Sequence, residues 1–377
     1  MNQLKATGSY TLLSIATLII MVGTLVAPGL IGISEALGVA DNAILLITLP
    51  ALGAVLFAPL SGKLIDKFGA YYCVVIGLFL YGFIGASVYW LNGPAAVFTN
   101  RVLLGGVTSA VMAGSTVLIS QWYTGKARLN MIAKQGMAIE FGGVLFLFVG
   151  GILATHYWAM PLTLYLLAWI FLIMLFLFVP RNSPAEKVSE TTEQIIKPKA
   201  LSLKGVYLMA LFSMSVFFTA FVLLPVAMHR EGYDEQQVGT LLASISLVAV
   251  VAALFMSKVV KLLGELKVLS VAFICYGIAY FLFLQMATPS LVIGAIICGI
   301  GFGFTVPLLN HMTVELSPAK VRGRNLSYFT MAIFSGQFLT SFIEYIPGGI
   351  NNIWLSGVTF CVIISIILLA TSNRAAK

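Results

Sequence analysis

Gly62-Lys63-Leu64-Ile65-Asp66-Lys67-Phe68-Gly69 separates two long apolar segments of the chain. This octet places three charged side chains within eight residues and has a glycine at each end. Glycine permits both close backbone approach and a sharp reversal of the chain. The pattern therefore predicts a tight polar turn that joins two antiparallel helices.

The segments that flank the octet belong to a very hydrophobic chain. Of its 377 residues, 60% are hydrophobic and 9% are charged, and the mean hydropathy is +1.03. In soluble domains about a quarter of all residues are charged. The composition therefore predicts an all-α polytopic membrane protein. A spanning helix needs about 20 mostly apolar residues, because lipid offers the backbone no hydrogen-bonding partner. Twelve such helices are predicted, at Tyr10–Ile33, Ala43–Ile65, Ala70–Leu91, Ala95–Trp122, Met131–Leu153, Ala159–Val179, Leu203–Met228, Gln237–Val259, Leu266–Met286, Leu291–Met312, Asn325–Tyr345 and Ile353–Ala370.

The basic residues predict the orientation of these helices. If both termini lie in the cytoplasm, 19 of the 21 Lys and Arg residues fall on the cytoplasmic side, and only Arg101 and Arg230 lie elsewhere. The pI of about 9.3 then reflects contact with anionic lipid and is no evidence for nucleic acid. The first apolar stretch has full spanning length and no small-residue cleavage pattern, so it is interpreted as a helix and not as a secretory signal.

Several other functions are disfavoured by the residues themselves. The four cysteines lie within predicted spans and show no disulfide or metal-ligand spacing, so neither a metal nor a cofactor is predicted. The run Gly299–Gly303 has the glycine spacing of a nucleotide-binding loop, but no strand precedes it and it lies within a span, so packing explains it. No nucleophile, base and orienting group occur together, and the chain is not predicted to be an enzyme.

A polar stretch divides the twelve apolar segments into two sets of six. Charged residues concentrate in 181–204, which predicts a cytoplasmic linker between an N-terminal half, 1–180, and a C-terminal half, 205–377. A shift of 195 residues aligns Ser257–Gly264 with the octet and retains its final glycine. The second half therefore carries a degenerate copy of the turn, and two pseudo-symmetric six-helix halves are predicted.

The octet resembles the signature of the major facilitator superfamily of transporters, Gly-x-x-x-Asp-(Lys/Arg)-x-Gly between the second and third membrane helices. The resemblance implies the major facilitator fold, a substrate site between the halves near the membrane midplane, and a latch that helps to hold the outward-facing state. Asp66 is expected to cap a helix and to pair with Arg128 on the neighbouring cytoplasmic loop. The residues assigned to this cytoplasmic latch are Gly62, Asp66, Lys67, Gly69 and Arg128. The alternative is an ordinary Asp-Lys turn.

Arg101 begins the run Arg101–Gly106, which resembles the family's helix-four Arg-x-x-x-Gly motif. The resemblance implies a part in proton transfer. Thr108 and Met112 share a helical face with Arg101 and extend a stripe that suits a cavity wall. The alternative is that Arg101 extends towards the outer headgroups.

Glu140 is the only acidic residue well inside a predicted span. It lies about nine residues from the cytoplasmic start of its helix, roughly 14 Å deep and close to the midplane. Burial favours the neutral carboxyl, whereas a nearby guanidinium favours the carboxylate. Glu140 and Arg101, on adjacent helices, are therefore predicted to couple transport to protons. The alternative is a permanently protonated or paired carboxyl that only fixes helix packing.

The run Gly142–Gly151 resembles the antiporter motif Gly-x-x-x-Gly-Pro-x-x-Gly-Gly, with Phe146 and Leu147 in place of the central Gly-Pro. Without the proline kink, the case for drug/proton antiport is weaker. The outer glycines still predict tight helix packing.

Helices one, seven and ten line the cavity in this family, and here they predict apolar walls. The residues assigned to the cavity are Thr17, Met21, Thr24, Thr108, Met112, Tyr207, Met214, Phe218 and Phe221. Such walls are adaptable and poor in fixed charge, which suits amphipathic or weakly cationic organic molecules better than sugars or phosphates. Ordinary packing is the alternative for the helix-seven residues.

The resemblance implies a proton-coupled secondary transporter similar to the twelve-helix drug/proton antiporters. It is expected to export a small amphipathic organic molecule across the bacterial inner membrane by alternating access, as a monomer. Its expected partners are the small-molecule substrate, protons and the lipid bilayer. Two alternatives are a proton-linked uptake symporter, favoured by the missing Gly-Pro, and a transport-inactive membrane sensor or assembly protein.

Overall fold

The computed structural model describes residues 4–123, 125–181, 201–318 and 321–375. Within these ranges the chain forms thirteen α-helices and no β-strand. The helices are α1 Ala6–Thr24, α2 Leu30–Ala36, α3 Leu45–Phe68, α4 Ala70–Ser87, α5 Pro94–Trp122, α6 Gly125–His156, α7 Leu167–Phe178, α8 Leu203–Arg230, α9 Glu235–Leu263, α10 Glu265–Phe283, α11 Thr288–Glu315, α12 Arg322–Leu339 and α13 Gly349–Ala375. Short 3-10 segments occupy Ala40–Asn42, Val88–Trp90, Met160–Leu166 and Thr340–Tyr345.

Twelve membrane spans are present in the described chain. Twelve helical segments are long and apolar enough to cross a bilayer, and α2, with seven residues, is a short connecting helix. Because lipid cannot satisfy backbone polar groups, helices whose hydrogen bonds are internal are the stable way to cross it. The predicted all-α polytopic fold is therefore confirmed.

The helices form two compact units. The first contains α1–α7 together with Glu235–Gly239, and the second contains α8, the rest of α9 and α10–α13. In the first unit α5 packs against α3 and α4, and α1 packs against α6. In the second unit α10 packs against α11 and α13, and α8 packs against α12. Of the predicted linker 181–204, residues 182–200 lie outside the described residues.

Helices α3 and α5 approach closely because glycines line their crossing. A Cβ added to Gly105 would lie 2.7 Å from the Pro50 Cα, and one added to Gly53 would lie 2.8 Å from the Val102 carbonyl carbon. Helix association in lipid depends on such close van der Waals contact, since lipid tails are as apolar as the side chains. This crossing fixes the position of α5, the helix that carries Arg101.

The octet ends in a one-residue turn at Gly69. This glycine separates α3 from α4 with a φ of 84° and a ψ of 151°, a conformation that is essentially restricted to glycine and costs another residue about 1–3 kcal/mol. Gly264, 195 residues further on, separates α9 from α10 with a φ of 86°. The predicted tight turn and its repeat are both present in the backbone.

Gly62 does not serve the close approach that the sequence predicts. It lies inside α3, and a Cβ added there would meet no atom within 4 Å. The helix continues through Gly62 to Phe68, so Gly69 alone makes the reversal.

The first span is shorter than predicted because the chain breaks near Pro28. The sequence predicts one helix over Tyr10–Ile33, whereas α1 ends at Thr24 and α2 begins at Leu30. Proline has no N–H to donate to the carbonyl four residues earlier, and it disfavours a helical conformation at the residue before it. The break directly follows the part of α1 that carries the predicted cavity residues Thr17, Met21 and Thr24.

Candidate functional site

Arg101 lies fully buried on α5. Its Nη1 donates a hydrogen bond of 3.0 Å to the hydroxyl oxygen of Tyr165, and its Cζ stands 5.7 Å from the centre of the same ring. The Tyr165 hydroxyl donates in turn to the Val22 carbonyl oxygen, at 3.3 Å. The guanidinium is therefore held inside the first unit and does not extend to the outer headgroups.

Two of the three guanidinium nitrogens of Arg101 have no partner in the described chain. Nε and Nη2 are buried and make no hydrogen bond. These two nitrogens share one edge of the planar guanidinium, the edge that can hold a carboxylate through two parallel hydrogen bonds. We call it the open edge of Arg101. A buried cation without a counter-charge is costly, so the open edge marks a place where an anionic group would be stabilised.

Two tyrosines hold α1 beside this arginine. The Tyr81 hydroxyl donates to the Leu18 carbonyl oxygen at 2.7 Å, one turn before the Val22 carbonyl that Tyr165 reaches. The two rings meet edge to face, with centroids 5.8 Å apart. We call Arg101, Tyr81 and Tyr165 the Arg101 cluster. It joins α4, α5 and the 3-10 segment before α7 to successive turns of α1.

Sequence reasoning missed both tyrosines of the cluster. The available signal was a tyrosine deep inside an apolar span, because a buried hydroxyl must find a partner where lipid offers none. That signal does not identify the partner, since backbone carbonyls of every neighbouring helix are equivalent candidates.

Glu140 lies at the middle of α6, half-buried, as the sequence predicts. Its carboxyl makes no hydrogen bond or ion pair within the described ranges, and the expected contact with Arg101 is absent. The two residues lie at different levels along the axes of their helices. Arg101 precedes the end of α5 by 21 residues and Glu140 follows the start of α6 by 15, so at 1.5 Å per residue they differ by about 9 Å along the helix axes.

Glycines pack α6 closely against its neighbours, as predicted. A Cβ on Gly142 would lie 2.8 Å from the Thr17 Cβ, and one on Gly150 would lie 3.0 Å from the Leu25 carbonyl oxygen. A third glycine, Gly151, faces the first turn of α9 within the same unit. The outer glycines of the run therefore serve packing, with Phe146 and Leu147 buried between them.

A second polar cluster connects α6 with α5. The Gln135 side-chain amide donates to the hydroxyls of Ser115 and Thr116 at 3.2 and 3.1 Å. Sequence reasoning did not include Gln135 or Thr116 in the site. Their hydrogen bonds are internal to the pair of helices, which suits a role in fixing α6 against α5.

The latch residues lie at the surface in this structure. Asp66 and Arg128 are both exposed, and Asp66 makes no hydrogen bond or ion pair with a described residue. The expected helix cap and the expected pair with Arg128 are therefore absent here. Asp66 stands in the last turn of α3, where the helix dipole disfavours an anion, and an exposed pair is worth about 1 kcal/mol or less. Lys67 lies over the Phe68 ring, 5.2 Å from its centre.

The predicted cavity residues of the first unit turn their hydroxyls to their own helices. Thr17 donates to the Ser14 carbonyl and Thr24 to the Ile20 carbonyl, and both bonds lie within α1. Thr108 likewise donates to the carbonyl four residues earlier on α5. Met21 is fully buried and Met112 half-buried. These side chains present mainly carbon to their surroundings.

The predicted cavity residues on α8 lie among other aromatic side chains. Met214, Phe218 and Phe221 are buried, and the two phenylalanine rings stack with centroids 6.0 Å apart. Tyr207 is anchored by a hydrogen bond of 3.0 Å to the Asn325 carbonyl. Sequence reasoning missed Phe217, which belongs to the same aromatic group.

Cavities in the described part of both units lie elsewhere. The cavity in the second unit has a volume of about 300 Å³. It is lined by Ser215, Val216 and Thr219 of α8, by Tyr280 and Thr340, and by seven further residues of α12, α13 and the segment between them. The cavity in the first unit has a volume of about 260 Å³, and its lining residues include Ala86 and Leu166. None of the nine predicted cavity residues lines either of them.

The structure also brings together three potential metal ligands that the sequence analysis did not connect. Ligand atoms of Glu265, His311 and Glu315 lie within 4.8 Å of one another, and His311 Nε2 stands 3.1 Å from a Glu315 carboxylate oxygen. His311 and Glu315 are four residues apart on α11, while Glu265 begins α10. The imidazole and the Glu315 carboxylate are exposed, which also suits an ordinary surface ion pair.

Two compact units, twelve candidate spans and a buried cation inside the first unit define a polytopic helical membrane protein. The model of the Major Facilitator Superfamily matches residues 12–341. The chain belongs to the major facilitator superfamily, and it is a transporter of small molecules and not an enzyme.

Relatives and solved structures agree with this assignment. The chain is 24% identical to Multidrug resistance protein 2 of Bacillus subtilis (strain 168), over 77% of this chain and 76% of that protein. It is also 24% identical to the class D Tetracycline resistance protein of Salmonella ordonez, over 85% and 84%. The crystal structure of a D-xylose-proton symporter superposes with a TM-score of 0.75 at 14% identity, over 96% of each chain. At that identity the superposition shows the fold alone.

Proposed function

We propose that this protein is a proton-coupled exporter of small amphipathic organic molecules, acting by alternating access in the inner membrane of a bacterium. Its relatives include proteins named for multidrug and tetracycline resistance. The predominance of basic residues on one side of the predicted topology supports cytoplasmic termini. We further propose that it acts as a monomer, with 1–180 and 205–377 as its halves and 181–204 as the linker.

The open edge of Arg101 is the observation that carries this proposal. A fully buried guanidinium with two unused donors is stable only if it gains an anionic partner in some state of the transport cycle. Glu140, about 9 Å away along the helix axes, is the acidic side chain in the middle of a span of the same unit. Moving a proton through a low-dielectric span requires a group of this kind, whose charge can change.

The two residues support a simple coupling scheme. With its proton bound, Glu140 is neutral and tolerates the unpaired position seen here. After the proton leaves, the carboxylate is attracted to the open edge of Arg101, and the helices α5 and α6 must shift to bring them together. Protonation therefore biases the unit between two arrangements, which is the requirement for coupling transport to a proton gradient.

The chemistry of the proposed cavity residues supports an amphipathic substrate. Methionine and phenylalanine side chains on α8, with threonine hydroxyls bonded within α1 and α5, leave no fixed charge among the nine assigned residues. Flexible apolar walls accept varied shapes. At the cytoplasmic face, we propose that Gly62, Asp66, Lys67, Gly69 and Arg128 act as a latch in the outward-facing state.

Proton-linked uptake is the second candidate, and Phe146 and Leu147 in place of Gly-Pro favour it. Transport in proteoliposomes with an imposed proton gradient of either direction separates the two. An exporter accumulates the compound on the side from which protons flow, whereas a symporter accumulates it on the side to which protons flow. Accumulation of candidate compounds that is independent of the gradient would contradict both forms of the proposal.

A further inference from the structure

We propose that Tyr165 is a positioning residue that transmits the state of Arg101 to the end of α1, and this inference rests on the proposed proton coupling. Its hydroxyl is the link between the guanidinium and the main chain of α1: it accepts from Arg101 Nη1 and donates to the Val22 carbonyl. The link ends two residues before the last residue of α1, Thr24.

The Val22 carbonyl depends on this tyrosine. Around the end of α1, Leu25 donates to the Met21 carbonyl and Ala27 to the Gly23 carbonyl. Among the described residues no corresponding bond joins the Val26 amide to Val22, so the Tyr165 hydroxyl fills the acceptor that the helix leaves open. Loss of the hydroxyl would leave a buried carbonyl without a donor next to the break.

Arg101 strengthens this bond. A hydroxyl that accepts from a cation becomes a better donor, since hydrogen bonds in a chain polarise one another. When a carboxylate binds at the open edge of Arg101, it neutralises the cation that polarises the Tyr165 hydroxyl, so the bond from that hydroxyl to the Val22 carbonyl weakens. An ionic event at Arg101 is thereby converted into a change at the end of α1, where the chain already departs from helical geometry.

The second unit contains the same arrangement, a tyrosine hydroxyl that donates to a helix carbonyl, but without the cation. There the Tyr280 hydroxyl donates to the Val216 carbonyl of α8, and a Cβ on Gly357 would overlap the Tyr280 ring. In the first unit, a Cβ on Gly85 would overlap the ring of Tyr165 in the same way. Position 280 follows position 85 by 195 residues, so glycine and tyrosine have exchanged helices between the units.

The other tyrosine of the Arg101 cluster is repeated as well. Tyr276, 195 residues after Tyr81, lies 3.5 Å from the Ser213 hydroxyl, and Ser213 is 195 residues after Leu18. The residue at the same interval from Arg101 is Ile296, an exposed isoleucine. Tyrosines therefore hold the first helix of both units, and only the first unit adds a charge to the arrangement.

This asymmetry supplies a matched control. Tyr165→Phe and Tyr280→Phe each remove one hydroxyl that donates to a helix carbonyl and keep the ring that packs over a glycine, but only Tyr165 touches a cation. The groups that titrate or carry charge around the Tyr165 hydroxyl are Arg101 from α5 and Tyr81 from α4, while α1 presents carbonyls. Any pH dependence specific to Tyr165→Phe is therefore to be attributed to this cluster.

The experiment combines two readouts on the full-length transporter in proteoliposomes. The first is the pH profile of proton-driven transport. The second is thiol labelling of Val26→Cys, a fully buried position in the break, in a background without the four native cysteines. We expect Tyr165→Phe to shift the pH midpoint by about one unit, a tenfold change in proton affinity, and to raise labelling several-fold. Tyr280→Phe should leave both unchanged.

Equal effects of the two variants on labelling, or none from Tyr165→Phe, would overturn the proposal and leave both tyrosines as packing residues. Labelling does not require transport, so it tests the tyrosine even if the wild-type protein proves not to be proton-coupled. If Tyr165→Phe fails to insert, Arg101→Lys interrupts the same link from its other end. Raised labelling is expected there too, and unchanged labelling would again contradict the proposal.

Discussion

A Cβ built on Gly85 would lie 2.7 Å from the Cβ of Tyr165, closer than two packed carbon atoms can approach. The glycine on α4 thus makes the space in which the tyrosine reaches Arg101 and α1. The position of the buried cation depends on the absence of one methyl group on a neighbouring helix.

We expect Gly85→Ala to destabilise the protein by about 1–3 kcal/mol, because overpacking forces the ring or the helix to move. Thermal unfolding in detergent measures this change. Gly62→Ala is the control, since a Cβ there meets no atom within 4 Å and alanine favours a helix interior over glycine by about 1 kcal/mol. A similar loss of stability in both variants would contradict the packing argument.

Glu140→Gln retains size and hydrogen-bonding capacity but fixes the neutral state. We expect it to bind substrate and to lose proton-driven accumulation, because the group can no longer change charge inside the span. Substrate-induced proton movement, measured beside binding, is the test. Glu344→Gln, at an exposed carboxyl, should behave as wild type. Normal proton coupling in Glu140→Gln would show that this carboxyl is structural.

Arg101→Lys keeps the positive charge but loses the planar edge that can hold a carboxylate. If Arg101 and Glu140 pair during the cycle, we expect the same loss of coupling as in Glu140→Gln, and no further loss in the double variant, because both changes remove one interaction. Additive losses from the two single changes would mean that the residues act independently.

Asp66→Asn should reduce transport while folding and insertion stay nearly unchanged, because an exposed charge contributes about 1 kcal/mol or less. Labelling of cysteines placed on the outer side of the cavity should fall as the protein moves towards the inward-facing state. An unchanged labelling ratio would contradict the latch, and misfolding would indicate a structural turn.

Gly69→Ala and Gly264→Ala should each cost about 1–3 kcal/mol, since both glycines combine a positive φ, 84° and 86°, with an extended ψ, 151° and 157°. Unfolding in detergent should show comparable losses. Transport is expected to suffer more in Gly69→Ala, because the proposed latch adjoins only the first of these turns. Equal transport defects would argue that the octet is no more than a connection.

The span pattern was predictable because it follows from bulk physics. Lipid demands long apolar helices, so the twelve spans follow from hydropathy alone. A glycine between two apolar segments favours a turn with positive φ, so Gly69 and Gly264 mark two turns in advance. The break after Thr24 was missed, although Pro28 was its signal, because proline is also tolerated inside spans such as α3, which contains Pro50.

The candidate site was predictable only in part. Arg101 and Glu140 stand out because a charge inside a span is rare. Their partners depend on which residues of neighbouring helices face each other. A sequence does not give the relative positions of residues along neighbouring helix axes, so it does not identify these partners. Tyr165 lies 64 residues from Arg101, and its other contact, Val22, is a backbone carbonyl that carries no residue-specific signal.

The exchange of glycine and tyrosine between the units bears on how such a duplicated protein changes over time. A position-by-position comparison counts Gly85 and Tyr280 as a mismatch, and Tyr165 and Phe360 as another. In both units, however, a tyrosine ring packs over a glycine, and the tyrosine hydroxyl donates to a carbonyl of the first helix of that unit. The two units therefore share a packing arrangement that a comparison of equivalent positions does not reveal, because the glycine and the tyrosine that meet lie on opposite members of the helix pair.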